Sequence, residues 1–387
     1  MATTFDGPAV ARSLRDLSAT QAAVSESGRT LAPALVDALW DTELMTYLNA
    51  PEAGGSEPTF TEIIETWIEL AWQDGSLGWI GIANLPSSMA ASVYLPDAGF
   101  KEIFGDPDKR ATVAGQFFPN GTGDAIDGGY TVTGAWNFGS GTGHSQYVAC
   151  GFFPVVDGEA VFDLAEFRAA IVPRSQVTFT DGWHVQGLRG TGSYDYSVSE
   201  VFVPEHRCFG LFVREPQRGS SPLFRMGLMP VTAAGHAAWA LGVSKSMLDD
   251  VAELALTKAR MSDMETLARR QTFQRNLAHF TGMWRAAHAG VLEAFGSVEA
   301  AVGRGEALTP TMRADLRVAA TYATEASREV AQWAHLAAGT TAIRDGSRLE
   351  RAFRDLYTGS QHAFISEKTY IDSAQIWLGL EDDLPGI

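Results

Sequence analysis

A strand-like segment with two aromatic rings and a hydroxyl group is the first part of this sequence that could hold a ligand. In "GGYTVTGAWNFGSG" (128–141), the two-residue repeat of a strand predicts that Trp136, Phe138 and Ser140 share one face. The rings could cover a flat apolar molecule, and the Ser140 hydroxyl or backbone N–H groups around Gly141 could reach its polar edge. A structural explanation is equally open, because a strand in a folded domain must bury one face anyway.

Two further segments carry residues suited to a reaction site. His362 closes the tripeptide "SQH" (360–362), and an imidazole can hold or donate one proton near neutral pH. A capped or solvent-facing helix histidine is the alternative. In "GQFFPNGTGDA" (115–125), Asn120, Gly121 and Gly123 let the backbone turn sharply and approach a ligand closely. An ordinary hairpin loop would have the same composition.

The segment "GLRGTGSYDYSVSEVFVPEH" (187–206) raises the question of a phosphate-binding loop. Its glycines follow the spacing G-x-x-G-x-G, and the residues after them alternate as in a half-buried strand. A dinucleotide fingerprint needs G-x-G-x-x-G between a strand and a helix. We therefore expect no nicotinamide dinucleotide site in this chain.

The elements that would position these residues fall into three blocks. Residues from about 8 to 105 have helical periodicity, and short β-type runs punctuated by Gly, Pro and Asp follow up to about 210. Ala-rich helical segments then cover 231–258, 274–302, 311–338 and 348–379. We predict an α+β chain with an N-terminal helical domain (1–110), a β-sandwich or barrel domain (111–224) and a C-terminal four-helix bundle (225–387).

Composition excludes several classes of function. The 387 residues carry a net charge of −17, which argues against nucleic acid and anionic membrane surfaces as partners. No apolar run is long enough to span a bilayer, and the N-terminal segment has no apolar core of a signal peptide. The two cysteines, Cys150 and Cys208, are too few for a disulfide framework or a zinc site. We expect a cytoplasmic protein without a metal site.

Four segments in this order resemble the acyl-CoA dehydrogenase fold. They are "GGYTVTGAWNFGSG" (128–141), "WHVQGLRGTGSYDYSVSEVFVPEH" (183–206), "RQTFQRNLAHFTGM" (270–283) and "FRDLYTGSQH" (353–362). The resemblance covers the chain from about residue 30 onward. It implies that 128–141 and the loop with Asn120 and Gly121 contact a flavin, and that Arg270 and Phe273 reach the flavin of a neighbouring subunit in a homotetramer. Gln274 replaces the usual glycine of the third motif, so FAD and FMN both stay open.

The absence of the dehydrogenases' catalytic glutamate indicates which group of enzymes with this fold the chain resembles. Dehydrogenases of this fold use a glutamate before a glycine in the C-terminal segment, where this chain has Thr358. A threonine cannot be that base at neutral pH. Instead, "SQH" and "DGSLGWIGIAN" (74–84) resemble the two-component flavin-dependent monooxygenases.

That resemblance implies an activity and its partners. A separate NAD(P)H:flavin reductase would supply reduced flavin (FADH2 or FMNH2), O2 would add at flavin C4a, and His362 would lie near the resulting hydroperoxide, with Ser140 as a donor at the flavin edge. The product would be a hydroxylated aromatic or heteroaromatic small molecule such as a phenol or indole. An acyl-CoA dehydrogenase-like dehydrogenase or oxidase, an N- or S-oxygenating enzyme of the same fold, and a non-catalytic flavin-fold scaffold stay as alternatives.

Residues for the substrate pocket are predicted from the first domain. We expect Trp79, Asn84 and Ser88 to line it, with core packing as the alternative for Trp79. Arg189 and Ser193 would belong to a tight loop under the flavin or the substrate, where the glycines bring the backbone close to the ligand.

Overall fold

The computed structural model describes residues 5–180, 182–259, 265–384 and 386–387. Residues 1–4 of the predicted first domain lie outside this range. Seven helices come first: α1 Gly7–Ser13, α2 Arg15–Gly28, α3 Pro33–Asp41, α4 Phe60–Gln73, α5 Gly75–Gly78, α6 Asn84–Tyr94 and α7 Asp97–Phe104. A capping box of Thr59 and Glu62 starts α4. Its periodic apolar residues are buried and pack against the C-terminal helices.

The middle of the chain forms one mixed β-sheet. Its strands are β1 Val113–Ile126, β2 Gly129–Gly139, β3 Tyr147–Val156, β4 Glu159–Ala160, β5 Arg168–Pro173, β6 Thr178–Thr180, β7 Tyr194–Pro204 and β8 Cys208–Gly210. They are ordered β6-β7-β2-β1-β3-β5-β8, with β4 added beside β3. The pairing of β1 with β3 is parallel, and the other pairings are antiparallel. Trp136, Phe152 and Tyr196 fill the core of this sheet.

Helices return after the sheet, with α8 Leu228–Thr257, α9 Gln271–Gly303, α10 Pro310–Ala338, α11 Arg348–Gly359 and α12 Glu367–Trp377. The predicted fold class is confirmed, and the first three Ala-rich segments are helices as expected. The interpretation of 348–379 as one helix is wrong, because α11 ends at Gly359 and a turn separates it from α12. Within that turn, Phe364 packs against the buried Arg317 of α10.

Side chains of all three blocks share one core. The largest buried cluster joins α4, α6, the sheet residues Val113 and Ile171, and α8 to α10. The domain boundaries at 110/111 and 224/225 stay predictions. Among the helices of the described residues, none is long and apolar enough to cross a membrane.

Candidate active site

A cavity of about 700 Å³ lies between the sheet, α6 and the turn that joins α11 to α12. Five of the residues singled out from the sequence line it: Trp79, Asn120, Phe138, Ser140 and His362. These residues come from widely separated parts of the chain, and the fold brings them to one place. The volume is in the range of pockets that hold small molecules and cofactors.

A chain of hydroxyl groups holds Ser140 at the cavity wall. The Trp79 indole N–H donates to Ser140 Oγ at 3.0 Å. Ser140 Oγ and Ser193 Oγ share a hydrogen bond of 2.7 Å, and Ser193 Oγ shares another of 2.6 Å with Thr191 Oγ1. Because Ser193 and Thr191 are buried, the Ser140 hydroxyl has a fixed position. Ser193 does not line the cavity itself and supports Ser140 from the protein interior.

The strand that carries the aromatic pair does not keep its alternation. The register of β2 against β7 shifts between Trp136 and Gly139, and Phe138 has a φ of 61°. This bulge turns Phe138 into the cavity, where its side chain is 62% exposed. Trp136 instead stacks on Tyr196 in the sheet core and donates from Nε1 to the Gly151 carbonyl. The prediction that Trp136 shares a face with Phe138 and Ser140 is therefore wrong.

His362 lies on the turn after α11, and the prediction that it lies in the helix is wrong. Burial lowers the pKa of His362 to about 4, with a smaller contribution from the positive charge of Arg317. The imidazole is therefore neutral at pH 7. The Phe364 backbone N–H donates to His362 Nδ1 at 3.2 Å, which places the ring proton on Nε2. His362 is thus a neutral donor at the cavity wall.

A second histidine, His236, packs against His362 and was missed by sequence reasoning. The two ring centroids are 4.6 Å apart, and His236 also stacks on Phe364 at 5.4 Å. Burial, with the nearby His362 and Arg317, lowers the pKa of His236 well below its ordinary value. The sequence signal was available, since His236 interrupts an otherwise apolar stretch of α8.

Arg317, Lys368 and Asp372 are charged residues that sequence reasoning missed. All three line the cavity. Asp372 accepts two hydrogen bonds from Lys368, at 2.6 and 2.5 Å. Arg317 occupies the buried face of α10, where helical spacing would place an apolar residue. The signal in the sequence was helical spacing, because Arg317 lies three residues before Ala320 and four after Arg313 and therefore shares their buried face.

Several predicted ligand-binding residues are satisfied within the protein instead. Asn84 Nδ2 donates to Ser145 Oγ at 3.0 Å, and Asn84 Oδ1 accepts from His144 Nε2 at 3.1 Å. Ser88 Oγ accepts from the Val113 backbone N–H at 3.0 Å. Neither Asn84 nor Ser88 lines the large cavity. Their prediction as substrate contacts is wrong because these bonds hold both polar side chains inside the protein, Asn84 against the turn between β2 and β3 and Ser88 against β1.

The predicted glycine contacts also serve packing. A Cβ on Gly121 would lie 2.7 Å from the Trp136 ring, and a Cβ on Gly141, whose φ is 80°, would lie 2.3 Å from Asn84 Oδ1. Asn120 is exposed at the cavity wall, whereas Gly121 and Gly141 do not line it. The two glycines therefore allow close packing of the residues behind the cavity wall and do not contact the cavity.

The loop 187–193 contacts other parts of the protein and not the cavity. A Cβ on Gly187 would lie 2.1 Å from the Arg354 carbonyl oxygen, and one on Gly190 would lie 2.9 Å from Ser25 Cβ. Arg189 donates from Nε to the Val185 carbonyl oxygen at 2.9 Å. The expectation that these glycines bring the backbone close to a ligand is wrong, because helices of the protein itself occupy that space.

Arg270 and Phe273 lie away from the cavity. Arg270 precedes α9 as its N-cap residue, and Phe273 is buried against Trp333 at a centroid distance of 5.6 Å. Neither lines the cavity of its own chain. This placement leaves their predicted contact with a neighbouring subunit as a prediction.

Comparison with known proteins identifies the family. Residues 234–367 match the family model described as acyl-CoA dehydrogenase, C-terminal domain. Indole-3-acetate monooxygenase of Pseudomonas putida is 30% identical over 333 residues, which cover 86% of this chain and 82% of that protein. This chain belongs to the flavin-dependent monooxygenases of the acyl-CoA dehydrogenase fold. The resemblance drawn from the sequence motifs is confirmed.

Other members of this family match over similar lengths. The oxygenase subunit HsaA of a Mycobacterium tuberculosis flavin-dependent monooxygenase is 27% identical over 364 residues, with 89% of this chain and 87% of that protein covered. The structure of XiaF from Streptomyces sp. in complex with FADH2 and glycerol has a TM-score of 0.91 and 26% identity, and covers 98% of this chain and 97% of its own.

Proposed function

We propose that this chain is the oxygenase component of a two-component monooxygenase that hydroxylates an aromatic or heteroaromatic small molecule with reduced flavin and O2. The observation that supports this most directly is the cavity itself, in which a neutral histidine, a fixed serine hydroxyl and open aromatic rings meet. Two relatives of this chain are an indole-3-acetate monooxygenase and an FADH2-dependent resorcinol hydroxylase. An indole- or phenol-like substrate follows from these names.

The residues of the cavity fit a flavin. Phe118 and Phe138 line it with side chains that are 66% and 62% exposed, and such open apolar surface is characteristic of ligand contact. We propose that Phe138 covers the flavin ring, and that Asn120 and the Ser140 hydroxyl meet its polar edge. When bound, reduced flavin supplies two electrons to O2, so that one oxygen atom enters the substrate as a hydroxyl group and the other leaves as water.

The protein's own residues would protect and direct that reaction. Trp79, Phe138 and Phe364 keep water out of the cavity, which limits wasteful loss of hydrogen peroxide. His362, with its proton on Nε2, donates a hydrogen bond to the reacting oxygen and holds the proton there. The Thr191 hydroxyl donates to the Leu188 carbonyl oxygen, so the Ser193 proton is directed to Thr191 and the Ser140 proton to Ser193. Ser140, fixed by Trp79 and Ser193, therefore presents its oxygen to the same region as an acceptor. We propose His362 and Ser140 as the catalytic residues.

The dehydrogenase alternative lacks a free base. Among the described residues that line the cavity, Asp372 is the sole carboxylate, and Lys368 binds both of its oxygens. Thr358, where dehydrogenases place their glutamate, does not line the cavity and lies against the loop at Gly187. We therefore favour oxygenation over removal of an α-proton.

Partners and assembly are inferred from the same family. We propose a separate NAD(P)H:flavin reductase as the source of reduced flavin, with FAD and FMN both admitted, and a cytoplasmic location that suits the two free cysteines. We also propose a homotetramer in which Arg270 and Phe273 reach the flavin of a neighbouring subunit. Exposed apolar residues along the bundle, including Leu336, Ile371 and Trp377, support an interface there.

The test supplies reduced flavin directly, without a reductase. The purified chain is mixed with chemically reduced FAD or FMN, 18O2 and an indole or phenol panel, and products are analysed by mass spectrometry. We expect one 18O atom per hydroxylated product, and no product when NADH is given without a reductase. Rapid reduction of flavin by NADH and the chain alone would contradict the two-component proposal, and bleaching of bound oxidised flavin by an acyl-CoA would support a dehydrogenase.

A further inference from the structure

Arg317 lies in the cavity wall, and some of the hydrogen-bond donors of its charged guanidinium have no partner among the described residues. Its side chain is 7% exposed, and Nη2 donates to Thr369 Oγ1 at 3.3 Å. Within the described chain, Nε and Nη1 of Arg317 are buried and have no hydrogen-bond partner. Phe364 covers the guanidinium, with 3.4 Å between Cζ and the ring centroid. A buried charged group with unused donors is costly unless a ligand supplies the acceptors.

Burial lowers the pKa of Arg317 and the negative charge of Asp372 offsets part of this effect, but no carboxylate of the described residues pairs directly with Arg317. No carboxylate of the described residues lies within 4 Å of the Arg317 nitrogens, and the nearby Asp372 is bound by Lys368 at 2.5 Å. Arg317, Lys368 and Asp372 are the charged side chains on the described cavity wall, and their sum is one positive charge. His236 and His362 add none, because burial keeps both neutral at pH 7.

We propose that Arg317 binds a carboxylate of the substrate, which would make the substrate an aromatic carboxylic acid. This inference rests on the proposed monooxygenase function and specifies its substrate class. Guanidinium groups suit carboxylates because their donors lie in one plane and the pair forms charge-assisted hydrogen bonds.

The position of Arg317 relative to His362 explains how such a contact would orient the substrate. Phe364, which covers the guanidinium, donates its backbone N–H to His362 Nδ1 and stacks on His236. One short turn therefore couples the carboxylate-binding residue to the proposed catalytic histidine. A ring attached to the bound carboxylate by a short linker would lie beside His362. The flavin contacts proposed above, Asn120, Phe138 and Ser140, come instead from the sheet.

Binding to the flavin-free protein tests this inference without turnover. Calorimetry would compare three pairs of probes: indole-3-acetate and indole-3-acetamide, phenylacetate and phenylacetamide, and benzoate and benzamide. We expect the wild-type protein to prefer the acid in at least one pair. In Arg317→Gln that preference should fall roughly 10- to 100-fold, the size of one or two charge-assisted hydrogen bonds, while amide affinity stays unchanged.

Matched variants separate the role of Arg317 from general effects. Arg328→Gln removes a positive charge from the same helix outside the cavity and should keep the acid preference. Arg317→Lys keeps the charge without the planar donors and should lose part of the preference, which gives a second measurement if Arg317→Gln does not fold. Equal affinity for acid and amide in every wild-type pair, or an unchanged preference in Arg317→Gln, would overturn the inference.

Two outcomes distinguish this inference from the proposed function. If the acid preference depends on Arg317 but no probe is hydroxylated with reduced flavin, the proposed monooxygenase function fails and the carboxylate site stands. If uncharged aromatics are hydroxylated without any acid preference, the carboxylate site fails and the monooxygenase stands. Weaker FMN binding in Arg317→Gln with an intact acid preference would assign Arg317 to the flavin and also overturn the inference.

Discussion

Replacing one member of a buried carboxylate pair should change how stability depends on pH. Asp74 and Asp355 are both buried beside the loop that holds Leu188. Burial raises the pKa of Asp74, but two backbone N–H groups and Arg351 at 3.1 Å oppose this shift and favour its charged form. Asp355 accepts one bond, from the Leu188 N–H at 2.6 Å. Burial, with the charge of Asp74, raises the pKa of Asp355 to about 8, so Asp355 keeps its proton at pH 7.

The size of the effect follows from proton linkage. An unfolded aspartate has a pKa of 3.8, so between that value and about 8 the native protein holds one proton more than the unfolded chain. Its free energy of unfolding therefore falls by about 1.4 kcal/mol for each pH unit in this window, or about 3 kcal/mol from pH 5.5 to 7.5. Asp355→Asn keeps the acceptor for Leu188 and mimics the protonated carboxyl. The free energy of unfolding of the variant, relative to that of wild type, should therefore rise by about 3 kcal/mol between pH 5.5 and 7.5.

Urea unfolding followed by tryptophan fluorescence measures this difference at pH 5.5, 6.5 and 7.5, with refolding checked at each pH. Asp345→Asn, which changes an exposed carboxylate in the turn before α11, is the control and should run parallel to wild type. If the Asp355→Asn and wild-type curves also stay parallel, then Asp355 is ionised in the native protein. The assignment of the proton within the pair would be refuted.

Two further predictions concern the reaction and the assembly. His362→Asn should bind reduced flavin normally but form product at least about 100-fold more slowly, because it removes a proton-holding group. Peroxide release should rise in the same stopped-flow and product assays, and a normal rate with normal coupling would mean that His362 is only structural. Size-exclusion chromatography with light scattering should give a homotetramer, and Leu336→Asp, at an exposed apolar position of the bundle, should weaken it. A fully active monomer at nanomolar concentration would contradict that assembly.

Much of the fold was predictable because its signals are local. Apolar spacing in 63–71 marked α4, and the Ala-rich runs marked α8, α9 and α10, since helix periodicity needs no knowledge of distant residues. The last helical segment was predicted too long. There, α11 ends at Gly359, and Phe364 in the following turn packs on Arg317 of α10, a contact that no local pattern predicts.

The site was predictable only in part, for the same reason. Phe138 and Ser140 were found, but the bulge that sends Trp136 to the core depends on how β2 pairs with β7. Asn84 and Ser88 looked free to bind a ligand, yet the turn between β2 and β3 and the start of β1 supply their hydrogen-bond partners. A side chain's available donors are known only after its neighbours are placed.

The amino-acid sequence alone determined the order of helical, β and helical blocks, the absence of the dehydrogenase base at Thr358 and the kinship with flavin-dependent monooxygenases. These follow from residue types and short-range spacing. The tertiary structure decided which side chains share the cavity, why His362 is neutral and that two buried donors of Arg317 have no hydrogen-bond partner among the described residues. Such properties depend on burial and on contacts between residues far apart in the chain, and only folding creates them.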